Sequence, residues 1–187
     1  MRNRSLFYGS SYDRGLDVVL KLYPKILEKY PNTTLHICYG WELFDKGYAD
    51  NPERMEWKER ISKHMKQKGI THHGRVGKNE LKKIRQTCGI WVYPTYFTEI
   101  NCITALEAQQ DGLVPVTMDF GALKETVGAG FKIVGDIYDE EVQEEWLKAL
   151  FTVMGSKKIW NQESKKAKKF ASNYSWDIIA NEWKKYL

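Results

Sequence analysis

The sequence predicts an α/β fold in which a parallel β-sheet is covered by helices on both faces. Short apolar runs alternate repeatedly with longer segments whose apolar residues fall at helical spacing. The connections between these segments are short, and many of the runs stop at a glycine or proline. The chain has 187 residues, 42% of them hydrophobic and 28% charged, which is enough to bury a core and is unlike a disordered sequence.

The first half of the chain predicts three strands and two helices. We expect strands at residues 6–8, 34–39 and 70–73, and helices at 15–30 and 51–68. Asn51 can cap the second helix and Pro52 fits its first position, whereas Pro24 should kink the first helix or mark its last turns. The segment before Asn51 is expected to be a long loop, with Trp41 and Phe44 either as loop anchors or as a surface for a sugar or acceptor.

The second half continues the alternation. We expect strands at residues 90–93, 114–117 and 131–134, and helices at 79–87 and 101–111. Pro115 indicates the start of its strand or an edge position, because proline cannot donate a ladder hydrogen bond. From Asp139 the chain is expected to be helical to its end, with Ser175 capping the last helix.

In such sheets, ligands bind beyond the carboxyl ends of the strands, where the strand order reverses. Binding residues are therefore expected in the loops that follow Tyr8, Tyr39, His73, Tyr93 and Thr117.

The net charge is confined to the end of the chain. There are 29 Lys and Arg against 24 Asp and Glu, a formal charge of +5. Residues 156–187 contain eight lysines and three acidic residues, so residues 1–155 are balanced. We expect 1–155 to form the sheet domain and 156–187 to form lysine-rich helices packed on it. The lysines are Lys157, Lys158, Lys165, Lys166, Lys168, Lys169, Lys184 and Lys185.

These lysines alternate with apolar residues at roughly helical spacing, which predicts a helix with a solvated lysine face. Contact with an anionic membrane surface is the alternative. Nucleic acid is disfavoured as a partner, because no aromatic or glycine-rich nucleic-acid motif accompanies the lysines. No apolar stretch approaches the roughly 18 residues that a membrane span requires.

The cysteines and histidines do not predict a metal site. Cys38, Cys88 and Cys102 are odd in number and lack metal-ligand spacing, which favours a reducing, cytoplasmic location over a disulfide framework. His72 and His73 are adjacent on a predicted strand, so their side chains should point to opposite faces.

The loop Gly9–Gly15 joins the first strand to the first helix and combines small residues, hydroxyls and Arg14. Its spacing is neither the dinucleotide fingerprint nor the P-loop motif. A helix N-terminus favours an anion, and Arg14 could add a bidentate contact to phosphate. A plain turn with an exposed Arg14 is the alternative.

Two glutamates give the stronger signal. Glu99 follows a buried strand, and Glu107 lies within the next predicted helix, on a face that we expect to be apolar. Such a carboxylate needs a partner, which could be an internal arginine, a backbone group or the hydroxyls of a sugar. Between the glutamates, the amides of Asn101, Cys102 and Ile103 should point out of the helix start, where they suit a phosphate.

The spacing Glu99–x7–Glu107, followed by residues 108–116, resembles the core signature of retaining glycosyltransferases of the GT-B fold, more narrowly family 4, the group-1 glycosyl transferases. The flanking segments agree with this resemblance in order along the chain. They are the first loop 9–15, the strand-turn 73–76, the strand-Pro-Thr segment 92–95 and the final aromatic helix 176–186.

The resemblance implies a Rossmann-like parallel sheet with carboxy-terminal helices, one half of a GT-B fold. This half binds the nucleotide-sugar donor, a UDP- or GDP-sugar. The amino-terminal domain, which brings the acceptor, is not among these residues. The implied reaction moves a hexose-type sugar to an acceptor hydroxyl with retained stereochemistry. No Asp-x-Asp motif occurs, so no metal or other cofactor is expected.

The resemblance also implies residue roles. Glu107 should hold the ribose hydroxyls, and Glu99 should contact the donor sugar near its reacting carbon as the catalytic residue. Arg14 and the amides of residues 101–103 should bind the phosphates, and the base should lie against Arg75 and Val76.

The chain departs from the family at one position of the first loop. Ser10 stands where the family commonly has an arginine, so Ser10 or Ser11 would donate hydrogen bonds there instead.

Three alternative functions remain open at this point. They are a nucleotide-sugar epimerase of the same overall fold, a module that binds nucleotide sugars without turnover, and a flavodoxin-like regulatory domain. The pair of Glu99 and Glu107 argues against the last of these. A cytoplasmic protein with a peripheral contact at the inner membrane face would accommodate the lysine-rich helices.

Overall fold

A computed structural model describes residues 2–186, so residues 1 and 187, which begin and end the predicted ranges, lie outside the description. Within residues 2–186, six strands form one parallel sheet in the order β3-β2-β1-β4-β5-β6. The strands are β1 Ser5–Tyr8, β2 Thr34–Cys38, β3 Ile70–Gly74, β4 Ile90–Tyr93, β5 Val114–Met118 and β6 Phe131–Ile133. This order is that of a doubly wound Rossmann-like sheet, and it reverses between β1 and β4. The predicted α/β class is confirmed.

The helices lie between and after the strands. They are α1 Leu16–Lys29, α2 Glu42–Tyr48, α3 Pro52–His64, α4 Lys78–Thr87, α5 Ile103–Gln110, α6 Leu123–Thr126, α7 Glu140–Gly155, α8 Lys157–Ala171 and α9 Trp176–Trp183. Every residue of β4 and β5 is buried. Because successive side chains of a strand point to opposite faces, both faces of the sheet are covered.

The structure corrects the prediction of a long loop after β2. Helix α2 occupies part of this segment, although it is short, contains Gly47 and shows little helical periodicity in the sequence. Packing explains it, because Phe44 is buried and its ring stacks on that of Trp57, with the ring centroids 5.4 Å apart. The ring of Trp41 lies 4.6 Å from that of Tyr12. Both aromatic residues therefore anchor the segment to the domain.

Helix α1 continues through Pro24 to Lys29, so the proline does not end it. A proline inside a helix leaves the carbonyl four residues earlier without its usual donor. Here that carbonyl belongs to Leu20, and the side chain of Gln67 donates to it at 3.1 Å. Pro115 is the second residue of β5, so the prediction that it lies near the start of its strand is correct. The alternative of an edge strand is wrong, because β5 lies between β4 and β6.

The carboxy-terminal helices differ in how they pack. Trp160 of α8 donates to the carbonyl of Gly89 at 2.8 Å, and Ser164 donates to that of Gly112 at 2.6 Å. The six lysines of α8 are exposed, whereas no residue of α9 is buried and Trp176 and Trp183 are largely exposed. Ser175 caps α9 as predicted. Among residues 2–186, no helix has both the length and the apolar character needed to cross a membrane.

Candidate functional site

Three loops meet at the carboxyl ends of the strands, beside the reversal in strand order. Gly15, the residue before α1, has φ +102°, and a Cβ there would lie 2.0 Å from the carbonyl oxygen of Pro94. Only glycine therefore lets the first loop pack this closely on the loop after β4. The loop after β5 joins them, because the amide of Ala122 donates to the carbonyl of Glu99 at 2.9 Å.

These loops gather four side chains around Glu99, two of which contact it directly. We call Ser10, Arg14, Tyr93, Phe97 and Glu99 the Glu99 cluster. Oε1 of Glu99 accepts from the hydroxyl of Tyr93 at 2.6 Å and from Nη1 of Arg14 at 3.2 Å. Ser10 donates to the Tyr93 hydroxyl at 3.2 Å, and the guanidinium carbon of Arg14 lies 3.7 Å from the centre of the Phe97 ring.

The Glu99 cluster holds one carboxylate oxygen and leaves the other available. The Glu99 side chain is 10% exposed and that of Arg14 is 32% exposed, so both border the crevice. Burial, and then the bond to Glu99, raise the pKa of Tyr93, which keeps its hydroxyl a donor at neutral pH. Within the described residues, Oε2 of Glu99 has no hydrogen-bond partner in the chain.

The rest of the first loop is fixed by its own residues. Ser11 donates to Asp13 at 2.7 Å, so its hydroxyl is already engaged within the loop. The hydroxyl of Tyr12 accepts from the amide of Gly40 at 2.7 Å and lies 2.7 Å from Nε2 of His72. Because that amide can only donate, Tyr12 is placed to donate its proton to His72. Tyr12 thus ties the first loop to the ends of β2 and β3.

A pocket of about 310 Å³ opens at the carboxyl ends of β1, β2 and β3, and Gly9, the residue before Ser10 of the Glu99 cluster, lines it. Small-molecule sites usually measure about 300–1,000 Å³. The lining residues are Gly9, Cys38, Tyr39, Leu43, Arg75, Val76 and Leu81. Arg75 and Val76, expected from the sequence to face a base, therefore lie on the wall of this pocket.

Glu107 has an arginine partner. Its Oε2 accepts from Nη1 of Arg85 at 2.7 Å, and Nε of Arg85 donates to Asp111 at 2.8 Å. The Glu107 side chain is 42% exposed, so the expectation of a wholly apolar face is wrong, because α5 turns Ala105 and Ala108 inward. Of the partners that the sequence left open, the internal arginine is present in the structure.

The start of α5 lies later than predicted. The helix begins at Ile103 with Cys102 as the preceding cap residue, so Asn101 lies before the helix. The amides of Ile103 and Thr104 are therefore among the first amides of α5, which have no intrahelical acceptor. Burial raises the pKa of the Cys102 thiol to about 12, so this thiol is protonated at neutral pH.

The family model described as glycosyl transferases group 1 matches residues 2–171. The chain belongs to this family. No curated protein sequence shows significant similarity to the chain.

Solved glycosyltransferase structures resemble this domain in fold. The GtfA/B complex has a TM-score of 0.76 at 15% identity, over 99% of this chain and 35% of that chain. The pneumococcal O-GlcNAc transferase GtfA, in complex with UDP and GlcNAc, has a TM-score of 0.75 at 17% identity, with the same coverage. Sucrose-phosphate synthase from Thermosynechococcus elongatus has a TM-score of 0.71 at 17% identity, over 97% of this chain and 44% of that chain.

This group-1 glycosyltransferase chain thus spans less than half the length of those structures. Its fold is the Rossmann-like carboxy-terminal half of GT-B glycosyltransferases, as the sequence predicted. Within residues 2–186, no group of three or more His, Cys, Asp or Glu side chains comes together in a metal-binding arrangement.

Sequence reasoning missed several residues of the candidate site. Tyr93 and Arg85 each contact one of the predicted glutamates, and Thr104 donates to the carbonyl of Gly9 at 3.3 Å. Tyr93 had a signal, because it is a polar aromatic residue at the carboxyl end of a buried strand. Arg85 had none, because a basic residue in a lysine-rich helix is ordinarily exposed.

Proposed function

We propose that this glycosyltransferase domain binds a nucleoside-diphosphate sugar and that its hexose-type sugar is transferred to an acceptor hydroxyl with retained stereochemistry. The observation that carries the proposal is the 3.2 Å contact between Arg14 and Glu99, at the reversal in strand order and beside the 310 Å³ pocket. A cation for phosphate and a carboxylate for sugar hydroxyls are thereby adjacent. The structural neighbour solved with UDP and GlcNAc supports this choice of donor class.

The proposed donor runs from the pocket to the Glu99 cluster. The base, of a UDP- or GDP-sugar, lies against Arg75 and Val76, which line the pocket. Glu107 accepts the ribose hydroxyls. The amides at residues 101–103 offer hydrogen-bond donors to the phosphates. Ser10 and Ser11 do so by turning their hydroxyls from Tyr93 and Asp13 to the phosphates. The free oxygen of Glu99 accepts a hydroxyl of the donor sugar as the catalytic residue.

Charge stabilisation is the proposed contribution of this half to catalysis. The leaving diphosphate gains negative charge in the transition state, and fixed donors stabilise that charge without reorganising. Arg14 uses Nη1 for Glu99, and a guanidinium has five N–H donors, so its remaining donors can bind the diphosphate. We therefore propose transfer without a bound metal ion or other cofactor, and we expect activity of the complete enzyme to survive chelation.

A second domain is part of the proposal, since the reaction requires an acceptor. The side chain of Ile100 is 95% exposed, and that of Ile103 is also largely exposed, at the rim of the site. A domain that closes over this rim would cover these apolar side chains, exclude water and hold the acceptor against the donor. This chain alone should bind the donor and transfer the sugar poorly.

The test is a titration followed by an assay. Calorimetry of the chain against UDP-, GDP- and ADP-sugars should give one preferred donor with an affinity in the micromolar to millimolar range, about −8 to −4 kcal/mol. Transfer and donor hydrolysis should stay far below about 1 per second. Failure to bind any of these donors would overturn the donor assignment. Rapid turnover would overturn the requirement for a second domain, and epimerised sugar nucleotide as product would favour an epimerase.

A further inference from the structure

Arg85 forms a fork between two acidic side chains, Glu107 of α5 and Asp111 directly after this helix. It lies in the last turns of α4, with its side chain 6% exposed. Its Nε donates to Asp111 at 2.8 Å, and its Nη1 donates to Oε2 of Glu107 at 2.7 Å. Asp111 is as buried as Arg85, whereas Glu107 is 42% exposed.

One arginine pairs with two carboxylates here, so the group carries one excess negative charge, and we assign it to Glu107. Burying a guanidinium requires one carboxylate, which Asp111 already provides. The second oxygen of Asp111 accepts from Gln86 at 3.3 Å, so the buried acid has partners at both oxygens. Glu107 is thus the additional, half-exposed acid, with Oε2 held by Arg85. Within the described residues, its Oε1 has no partner in the chain.

The geometry of α4 relates Arg85 to the pocket. Leu81 and Arg85 are four residues apart on α4, so they lie on the same face of the helix, one turn from each other. Leu81 lines the 310 Å³ pocket at the carboxyl ends of β1, β2 and β3. Arg85, which holds Glu107, therefore lies one helical turn from a residue of the pocket wall.

We propose that Arg85 is a positioning residue for ribose recognition, and that it fixes Glu107 so that the free oxygen accepts the hydroxyls of a ribonucleotide. This proposal rests on the proposed function, because it takes the ligand to be a nucleoside diphosphate. A glutamate without a partner samples several rotamers, and binding must then order it, whereas a held glutamate is ordered before the ligand arrives. An oxygen with two lone pairs can accept both hydroxyls of the ribose.

A held Glu107 should make the site prefer a ribonucleotide to its 2′-deoxyribonucleotide counterpart. UDP or GDP should bind about tenfold or more tightly than its 2′-deoxy counterpart, because hydrogen bonds to a charged group are strong. Arg85→Lys retains a cation for buried Asp111 but loses the fork, so this ratio should fall below about threefold. Asp111→Asn is the matched control, because it disturbs the same arginine while leaving the bond from Nη1 to Glu107, and it should keep the ratio.

The experiment measures the affinities of the parent chain and both variants for the nucleotide and its 2′-deoxy counterpart by calorimetry, and the melting temperature of each variant by circular dichroism. A purely structural role would lower the melting temperature in both variants without changing the ratio in either, and this result would overturn the proposal. Arg85→Gln serves as a second variant with the same expectation in case Arg85→Lys does not fold.

Glu107→Gln distinguishes the positioning role of Arg85 from the assignment of Glu107 to the ribose. If this variant loses the ribose preference while Arg85→Lys and Arg85→Gln keep it, the positioning role is wrong and the proposed function stands. If the parent chain binds neither UDP nor GDP, or if Glu107→Gln keeps the full preference, the ribose assignment fails, and the role of Arg85 fails with it.

Discussion

Arg14 and Glu99 lie 85 residues apart in the chain, yet Nη1 of Arg14 donates to Oε1 of Glu99 at 3.2 Å. One comes from the loop after β1 and the other from the loop after β4, the two strands between which the strand order reverses. The pair therefore joins two loops that also pack directly on each other at Gly15 and Pro94. It also sets a guanidinium beside a carboxylate, and we propose that the first binds phosphate and the second the donor sugar.

Arg14→Ala should weaken binding of a nucleoside diphosphate about ten- to hundredfold, since a charge-assisted contact contributes roughly 1.5–3 kcal/mol. The corresponding nucleoside should lose little, because it has no phosphate. Calorimetry with both ligands measures the difference. Arg54→Ala is a matched control, because Arg54 pairs with Asp13 of the same loop at 3.6 Å but lies outside the Glu99 cluster. Equal losses for both ligands in Arg14→Ala would place Arg14 away from the diphosphate.

Tyr93→Phe should loosen Glu99. The substitution removes the 2.6 Å bond to Oε1 and the acceptor of Ser10. We expect a sugar nucleotide to lose more affinity than the sugar-free nucleoside diphosphate, and the free energy of unfolding to fall by about 1.5–3 kcal/mol. Tyr23→Phe is the control, because it removes an equally buried hydroxyl that donates to the carbonyl of Thr33 at 3.0 Å. The prediction is wrong if the two variants bind both ligands alike.

Stability should fall as the solution becomes acidic. The rings of His36 and His73 stack, and Nδ1 of His36 lies 3.0 Å from Nε2 of His73. Burial, and then the charge of His73, lower the pKa of His36, and burial also lowers the pKa of His73, although Glu80 opposes this. The unfolded chain therefore takes up protons first, so this contribution to stability is complete above about pH 6.5 and is lost as the pH falls below that value.

His73→Gln tests the assignment to this pair. Between pH 7 and pH 5, urea denaturation should show a shallower loss of stability than in the parent chain, by up to about 1.4 kcal/mol per pH unit for each proton no longer linked to unfolding. His64→Gln, which replaces an exposed histidine outside the pair, should leave the slope unchanged. A slope that does not change in His73→Gln would assign the acid sensitivity to other groups.

We also propose that the protein is cytoplasmic and that α8 makes weak contact with the anionic surface of the inner membrane face. The six lysines between residues 157 and 169 are exposed, although the packed face of α8 is engaged with the domain. The chain should co-sediment with phosphatidylglycerol vesicles at low salt and less at high salt. Replacing these lysines with Gln should abolish the binding, whereas replacing Lys78, Lys82 and Lys83 of α4 should not. Unchanged sedimentation after the first replacement would contradict the contact.

Local sequence signals were sufficient for the positions of the strands and for most helices. Apolar runs that stop at Gly9, Gly40 or Pro94 predicted the ends of β1, β2 and β4 to within one or two residues. Periodicity and capping residues predicted α1 and α3, because both act within a few positions along the chain. Helices α2 and α6 were not predicted, and α5 begins two residues later than predicted. Packing of Trp41 and Phe44 decides α2, and the loop after β4 decides the start of α5.

The sequence by itself determined the parallel α/β class, the family and the loops that form the site, since each depends on residues close together in the chain. The tertiary structure alone decided which charged groups meet. The sequence left Glu107 with several possible partners, and the fold supplied Arg85, a residue 22 positions away. It also supplied Tyr93 and Arg14 for Glu99. The physical reason is that a buried or half-buried carboxylate takes whichever donor the packing of neighbouring elements brings within about 3 Å, and no local pattern records that distance.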